Sequence, residues 1–292
     1  MTQQSQLQQK ANELLLNKTV NVIIGYGEST TGQVDLTLIT DPAETNLLVW
    51  NNQCTQNLTV YLNRKEILQY GKAAIVAKGC DAKSLVVLEI EKQIERESLY
   101  VIGMECYGVK SGTRTNADVL AAKCESCDVN KPLNCDVVIE ADAAENAGVK
   151  GDITKRYERL GKLMSMSIEE RLEFWRGEFE RCIKCYACRQ SCPMCYCSVC
   201  VVDKNRPVRI DTSATLKGNF AWNILRAFHL AGRCVGCSAC TAACPAGIDL
   251  DLLNLSLAKA AEENFNHKTG IDRNANPLIG TFSPNDQEEF IR

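Results

Sequence analysis

Short apolar runs separated by polar residues fill the first half of the chain. Residues 20–27, 33–40, 46–50 and 58–62 are rich in β-branched and aromatic side chains, and Gly, Asn or Asp-Pro marks their ends. Runs of this length with such boundaries are typical of strands joined by turns. The pattern therefore predicts four short strands in this half of the chain.

A strand, a helix and another strand are predicted next. The run 73–80 predicts a strand, Asp81 is a suitable N-cap for a helix with apolar residues at helical spacing, and 98–106 predicts the next strand. Cys80 and Cys106 then stand at the ends of the two strands that flank the helix. Because ligands tend to bind at strand ends in α/β units, these two cysteines are candidates for a site.

Helical spacing of apolar residues dominates the second half. Ser167 and Glu170 have the spacing of a capping box before an apolar stripe. Residues 219–233 predict a second helix that ends at Gly232, and residues 249–264 predict a third. The expected fold class is therefore α+β, with a mixed α/β domain followed by a mainly helical one.

The length of 292 residues favours about two domains. The small and polar segment 141–154 has the composition of a linker. We expect a mixed α/β domain over residues 1–145 and a helical domain over residues 153–264. The polar tail, residues 265–292, is expected to pack against a neighbouring surface or to fray.

Seventeen cysteines are the unusual feature of the composition. The first residues lack the charged and apolar regions of a signal peptide, and no apolar run approaches the length of a membrane span. We therefore expect a cytoplasmic protein, in which clustered cysteines are reduced and indicate metal binding rather than disulfides. The net charge of −3 does not suit a nucleic-acid-binding protein, which is usually basic.

Two cysteine runs, residues 182–193 and 234–245, share the spacing C-x2-C-x2-C-x3-C-P. This run holds 4Fe–4S clusters in bacterial ferredoxins, and in two-cluster proteins the fourth cysteine binds the other cluster. Zinc sites usually use pairs of C-x2-C, and they remain an alternative together with buried free thiols. The spacing predicts one cluster bound by Cys182, Cys185, Cys188 and Cys244, and another bound by Cys234, Cys237, Cys240 and Cys192.

The segment between the two runs, residues 193–233, is longer than in small two-cluster ferredoxins and contains a predicted helix. With its helical flanks, this arrangement resembles the α-helical ferredoxin domains of heterodisulfide reductase and succinate dehydrogenase iron–sulfur subunits. The resemblance covers about the last 130 residues of the chain. It implies a two-cluster ferredoxin-like domain.

A third set of cysteines lies in the first half. Cys80 follows Gly79, Cys106 begins a Cys-x-Gly element, and Cys124 and Cys127 form a C-x2-C followed by Asp. Singly, each signal is weak, because a lone cysteine is often a small buried apolar residue and one C-x2-C can be half a zinc site. Together they resemble the β-subunit family of coenzyme F-420 hydrogenases and dehydrogenases, although that family has proline at the position of Gly79. The resemblance implies a third 4Fe–4S cluster on these four cysteines.

Members of that family also bind a flavin, in a domain usually longer than the one present here. The sequence GYG at 25–27 lacks the third glycine and the acidic residue of a dinucleotide-binding fingerprint. We interpret it as a tight turn after a strand. FAD or FMN therefore stays an open alternative among the cofactors.

Five cysteines have no place in these sets. Cys195, Cys197 and Cys200 are close enough in sequence to supply further metal ligands, or to pack as free thiols beside a cluster. Cys54 and Cys135 have no assigned role. Basic residues near the runs are expected either to be solvated or to stabilise reduced clusters and meet an acidic partner; these are Arg181, Lys184, Arg189, Arg226, His229 and Arg233.

The expected function is that of an iron–sulfur electron-transfer subunit in a cytosolic multisubunit anaerobic oxidoreductase. No catalytic residue is nominated, so substrate chemistry is expected on a partner: a flavoprotein, hydrogenase, formate dehydrogenase or heterodisulfide-reductase-like subunit. One alternative is a self-contained flavo-iron–sulfur oxidoreductase that uses a nicotinamide or a deazaflavin. Another is a non-redox interaction protein stabilised by metal.

Overall fold

The computed structural model describes residues 1–111, 119–142, 151–203, 211 and 213–280. Its N-terminal part is built on a five-stranded sheet with the order β2-β1-β3-β4-β5. β1 runs antiparallel to β2, and the other neighbouring strands are parallel. The strands are β1 (Val22–Glu28), β2 (Val34–Ile39), β3 (Ala73–Ala77), β4 (Leu99–Met104) and β5 (Val137–Ile139). The sheet confirms the mixed α/β character expected for this part.

Helices cover this sheet and connect its strands. The first, α1, has Thr2 as its N-cap and buries Leu7, Ala11 and Leu14 in the core next to the sheet. The spacing of these three apolar residues could have predicted α1, although the polar Gln-rich composition of its exposed face obscured it. The helices of this part are α1 (Gln3–Leu16), α2 (Lys65–Leu68), α3 (Gly79–Ile90) and α4 (Ala122–Glu125).

Two of the predicted strands are wrong. The predicted strand at 46–50 overlaps the last residues of a 3₁₀ helix, Pro42–Leu47. The predicted strand at 58–62 is a 3₁₀ helix, Leu58–Tyr61. In each case a short polar side chain before the helix accepts a hydrogen bond from its first turn: Asp41 from the Ala43 N–H and Asn57 from the Thr59 N–H. These caps favour a helical turn over the strand that the apolar residues alone would predict.

The interpretation of GYG as a turn is also wrong, because both glycines lie inside β1. A Cβ on Gly25 would meet the side chain of Leu48, and a Cβ on Gly27 would lie 2.9 Å from the Thr37 Cβ. The glycines therefore allow the side chains of Leu48 and Thr37 to pack closely against the backbone of β1. They form no phosphate-binding loop.

The unit β3–α3–β4 has the predicted order. β3 and β4 are parallel, so their carboxyl ends lie at the same edge of the sheet, where Cys80 and Cys106 follow them. The helix begins earlier than predicted, with Lys78 as N-cap. Asp81 lies in the first turn, where its Oδ2 accepts a hydrogen bond from the Lys78 backbone N–H at 3.0 Å.

From residue 151 onwards the described chain contains helices and no strand. The capping box at Ser167 is present, and Thr215 and Asp249 cap the two other predicted helices. None of the described helices is long and apolar enough to cross a bilayer. The helices are α5 (Glu158–Met164), α6 (Ile168–Glu180), α7 (Ala187–Gln190), α8 (Leu216–His229), α9 (Ala239–Ala242) and α10 (Leu250–Phe265).

The described start of the predicted tail packs against other parts of the chain. The guanidinium of Arg273 forms an ion pair with Glu89 on α3, and the ring Nε2 of His267 lies 2.8 Å from the Gly232 carbonyl oxygen. Residues 281–292 lie outside the described residues, as do residues 143–150 of the predicted linker.

A cluster of polar contacts joins the end of α3 to the helical part. The Glu91 carboxylate accepts hydrogen bonds from Arg233 Nε at 2.6 Å, Arg233 Nη2 at 2.7 Å and the Tyr196 hydroxyl at 2.5 Å. The side chain of Glu91 is 12% exposed and that of Arg233 is 18% exposed. Arg233 immediately precedes Cys234, so this contact fixes a cysteine run against the sheet-bearing part of the chain.

Replacement of Glu91 by Gln is predicted to lower the free energy of unfolding by about 2–3 kcal/mol, because it leaves the half-buried Arg233 guanidinium without its charged partner. The measurement is the midpoint of denaturant unfolding of the anaerobically purified chain, followed by circular dichroism. Glu263→Gln is the matched control. Glu263 forms an exposed ion pair with Lys259 one helical turn away, and its replacement should change stability by less than about 0.5 kcal/mol. Equal effects of the two substitutions would contradict the prediction.

Candidate metal centres

The two cysteine runs adopt the same backbone conformation. In the first run Lys184 and Tyr186 have φ of 55° and 60°, and in the second the corresponding residues Gly236 and Ser238 have φ of 70° and 52°. A short helix follows each pair, α7 in the first run and α9 in the second. Left-handed residues on both sides of the second cysteine curl the chain, which turns three cysteines of the run towards a common centre.

The first run faces a small cavity of about 20 Å³, here called the first site. The Asn219 amide, on α8, donates a hydrogen bond to the Cys182 carbonyl oxygen at 2.7 Å and so ties the run to that helix. Cys185 is exposed, whereas the buried side chain of Trp222 closes the cavity on its inner side. The cysteines that line the first site are Cys182, Cys185, Cys188 and Cys244.

The second run faces a similar cavity of about 20 Å³, here called the second site. It is more deeply buried, and burial raises the pKa of the Cys234 thiol to about 12. The amide Nδ2 of Asn254 lies 3.7 Å from the Cys240 Sγ and donates a hydrogen bond to it. The cysteines that line the second site are Cys192, Cys234, Cys237 and Cys240. Each of the two cavities thus combines three cysteines of one run with the last cysteine of the other.

A larger cavity of about 130 Å³ lies at the edge of the sheet and is here called the third site. Cys80 reaches it from the first turn of α3, Cys106 from the end of β4, and Cys124 and Cys127 from α4 and the residues after it. The structure thus brings together four cysteines that are far apart in sequence. Burial raises the pKa of the Cys106 thiol to about 11 and also raises the pKa values of Cys80 and Cys127.

Two glycines beside the third site are required by its geometry. Gly79 approaches the backbone of Val129 so closely that a Cβ would overlap the carbonyl oxygen, which explains why proline does not precede Cys80 here. Gly108, in the Cys-x-Gly element, has a φ of 110°, and a Cβ there would lie 2.6 Å from the Leu120 side chain. Both glycines let the chain close around the four cysteines.

A buried lysine lies next to the third site. The Lys78 side chain is fully buried, and its Nζ contacts the Tyr26 hydroxyl, the Gln56 carbonyl oxygen at 2.7 Å and the Asp81 Oδ2 at 2.9 Å. Burial alone would lower the pKa of Lys78, but the nearby Asp81 carboxylate and the Cys80 thiolate together raise it. Lys78 therefore stays protonated and holds the start of α3, with Cys80, in place.

The second and third sites share a wall. Val235 and Asp251 line both cavities. Lys123, next to Cys124, donates a hydrogen bond from its Nζ to the Cys237 carbonyl oxygen at 2.8 Å. The helical part is therefore attached to the sheet-bearing part at the point where two groups of cysteines are closest.

Each of the three sites is lined by four cysteines, which is the number of ligands that a 4Fe–4S cluster takes. In a 4Fe–4S cubane each thiolate binds a different iron, so the four ligands stand further apart than they would around zinc. All seventeen cysteines are free thiols, so none is lost to a disulfide.

The five other cysteines line none of these three sites. Cys195 packs beside the second site, and a hydrogen bond with Cys192 together with the nearby Arg226 guanidinium lowers the pKa of its thiol. Cys197 is exposed, and Cys200 is half-buried. Burial raises the pKa of Cys54 to about 11 and that of Cys135 to about 12, as expected for thiols packed in a core.

Known proteins resemble parts of this chain, and one match covers both cysteine runs. Residues 178–248 match the 4Fe-4S dicluster domain. The F420-dependent formate dehydrogenase subunit beta of Methanocaldococcus jannaschii is 30% identical over 109 residues, which are 37% of this chain and 28% of that protein. The F420-dependent formate dehydrogenase 1 subunit beta of Methanococcus maripaludis is 22% identical over 311 aligned positions, which cover 75% of this chain and 78% of that protein.

These matches confirm the resemblance that the cysteine motifs predicted. The dicluster match spans both complete runs up to Ile248. The Methanocaldococcus match, however, covers little more than a quarter of that subunit's length.

Proposed function

We propose that this chain is an iron–sulfur electron-transfer subunit of an oxidoreductase complex, and that it binds three 4Fe–4S clusters. The observation that carries the proposal is the convergence of twelve cysteines, four on each of three separate cavities. A protein that transfers single electrons needs closely spaced clusters and a way to connect with its partners. The dicluster match supports the clusters of the first and second sites.

We assign the ligands of the proposed clusters from the cysteines that line each cavity. Because the fourth cysteine of each run lines the other run's cavity, we propose crossed ligation, as in two-cluster ferredoxins. The proposed ligands are Cys182, Cys185, Cys188 and Cys244 in the first site, Cys234, Cys237, Cys240 and Cys192 in the second, and Cys80, Cys106, Cys124 and Cys127 in the third.

The three sites are arranged as a relay with the second site in the middle. The second and third cavities share Val235 and Asp251, and the thiols of Cys80 and Cys237 interact electrostatically. On the other side, the Ser191 hydroxyl of the first run donates a hydrogen bond to the Ala239 carbonyl oxygen of the second run at 3.2 Å. Electrons would therefore pass between the third and first sites through the second.

The proposed partner is the substrate-binding subunit of a cytoplasmic formate dehydrogenase. The support is the names of the two relatives, both beta subunits of F420-dependent formate dehydrogenases. Clustered reduced cysteines suit a cytoplasmic protein. We also propose residues 1–145 and 153–264 as the two domains that carry the third site and the paired sites.

Loss of one third-site ligand is predicted to remove one cluster. The wild-type chain should contain about twelve irons and as many acid-labile sulfides, and Cys106→Ser should contain about eight. The measurement is iron and sulfide analysis of the anaerobically purified full chain, with circular dichroism to verify folding. Cys135→Ser is the matched control, since Cys135 is also half-buried, shortly before β5, but lies outside the cavity. About eight irons per wild-type chain would contradict the proposal of a third cluster.

Crossed ligation predicts different results for two double substitutions. Cys192→Ser with Cys237→Ser affects one cluster, so about eight irons should remain. Cys192→Ser with Cys185→Ser affects two clusters, so about four should remain. The measurement is the same iron and sulfide analysis, supported by electron paramagnetic resonance of the reduced chain. If ligation is not crossed, the two double variants exchange their iron contents.

The role as a subunit is tested by anaerobic purification of the tagged chain from its native source. We expect redox subunits to co-purify, and we expect formate to reduce viologen dye only when those subunits are present. Flavin should be quantified on the separated chain. Stoichiometric flavin with nicotinamide- or deazaflavin-dependent activity of the isolated chain would instead support a self-contained oxidoreductase.

A further inference from the structure

Arg226 is a buried arginine between the first and second sites. It lies on α8 and is 5% exposed. Its Nη2 donates a hydrogen bond to the Cys188 carbonyl oxygen at 3.0 Å, in the run that lines the first site. The guanidinium carbon lies 5.9 Å from the ring centre of Trp222, which helps to close that cavity.

The charge of Arg226 has no carboxylate partner among the described residues. The ion pairs of the described helical part involve other residues, and the Nε of Arg226 is buried without a hydrogen-bond acceptor. An arginine does not lose its proton in a protein, so the group is a buried cation. A buried cation is strongly unfavourable unless anions lie beside it, and the groups beside Arg226 that can carry negative charge are cysteine sulfurs.

The sulfur atoms that interact electrostatically with Arg226 come from both sites. They belong to Cys188 of the first site, Cys192 and Cys240 of the second, and the unassigned Cys195. Four thiolates around a cubane leave a net negative charge, which grows by one when the cluster accepts an electron.

We propose that Arg226 is a counter-charge shared by the clusters of the first and second sites, and that it raises the midpoint potentials of both. The inference rests on the proposed function, because it requires clusters in these two sites. The guanidinium attracts the reduced form of each cluster more strongly than the oxidised form, and the low dielectric of the interior strengthens that difference. Arg226 is a positioning and tuning residue that takes no part in chemistry on a substrate.

The test is a potentiometric titration of the anaerobically purified full chain, followed by electron paramagnetic resonance. Arg226→Gln is expected to lower the potentials of both paired clusters, with at least a tenfold smaller ratio of reduced to oxidised cluster at a fixed ambient potential. For a one-electron couple this is about 59 mV. The third cluster should not shift, and Arg226→Lys, which keeps the charge, should restore most of both potentials.

Arg181→Gln is the matched control. Arg181 precedes Cys182 directly, but its side chain is 47% exposed and pairs with Glu178 at 2.8 Å. Solvent screens such a charge, so no potential should change by a comparable amount. An equal shift in the control variant would contradict a specific role for Arg226.

Iron and sulfide analysis accompanies each titration. Unchanged potentials in a fully loaded Arg226→Gln variant would overturn the inference, and a shift in only one cluster would overturn the sharing. If Arg226→Gln loses the paired clusters, iron analysis of Arg226→Lys distinguishes the two explanations. Retention of both clusters in Arg226→Lys supports the need for a positive charge. Loss of both would show that the shape of arginine is what matters, which would overturn the inference. A wild-type chain without iron and sulfide would overturn the proposed function as well.

Discussion

Four thiols must converge around each proposed cluster, but a short run of chain can curl around only three corners of a cube. Each run therefore lends its last cysteine to the other, and residues 188 and 244 must meet although more than fifty positions separate them. Closing such a loop opposes folding through its entropy. Ligand binding offsets this cost, because metal sites rarely exist in the unfolded chain. In this fold, the arrangement of α7, α8 and α9 follows from the need to bring the two runs together.

The need to bring four cysteines together also links the two halves of the molecule. The third site draws its cysteines from the ends of two parallel strands and from α4, and the second site adjoins it through Val235. The Glu91–Arg233 ion pair and the hydrogen bond from Lys123 to Cys237 hold this junction from two directions. Both contacts involve residues next to cysteines of the sites. The interface between the halves thus also sets the separation of the second and third sites, where two of the proposed clusters would bind.

The predictions from sequence succeeded where local chemistry decides the structure. The capping box at Ser167, the strand ends before Cys80 and Cys106, and the helix that ends before Gly232 are all present. The strand predicted from apolar composition at residues 58–62 was wrong, because the polar cap Asn57 begins a helical turn there. The sequence of GYG could not show that its glycines lie inside a strand, because that depends on packing against Leu48 and Thr37 from elsewhere in the chain.

The sequence predicted some features of the cysteine sites but not others. A repeated spacing identified the two runs, but the left-handed conformation of Lys184 and Tyr186 could not be foreseen, since neither is glycine. Their equivalence to Gly236 and Ser238 emerges only when the two backbones are compared. Arg226 was one of six basic residues expected either to be solvated or to stabilise reduced clusters, and the sequence could not show that it is buried, because a charge on a helix is usually solvated.

The buried charges give the fold a function that the cysteines alone do not. Thiolates determine where a cluster is bound, whereas nearby charges and hydrogen bonds determine how readily it accepts an electron. Lys123 lies between the third and second sites, and Arg226 lies between the second and first. The proposed relay needs the potentials of its clusters to be ordered. Positive groups at the two junctions could supply that order, since each junction would join two clusters that become more negative on reduction.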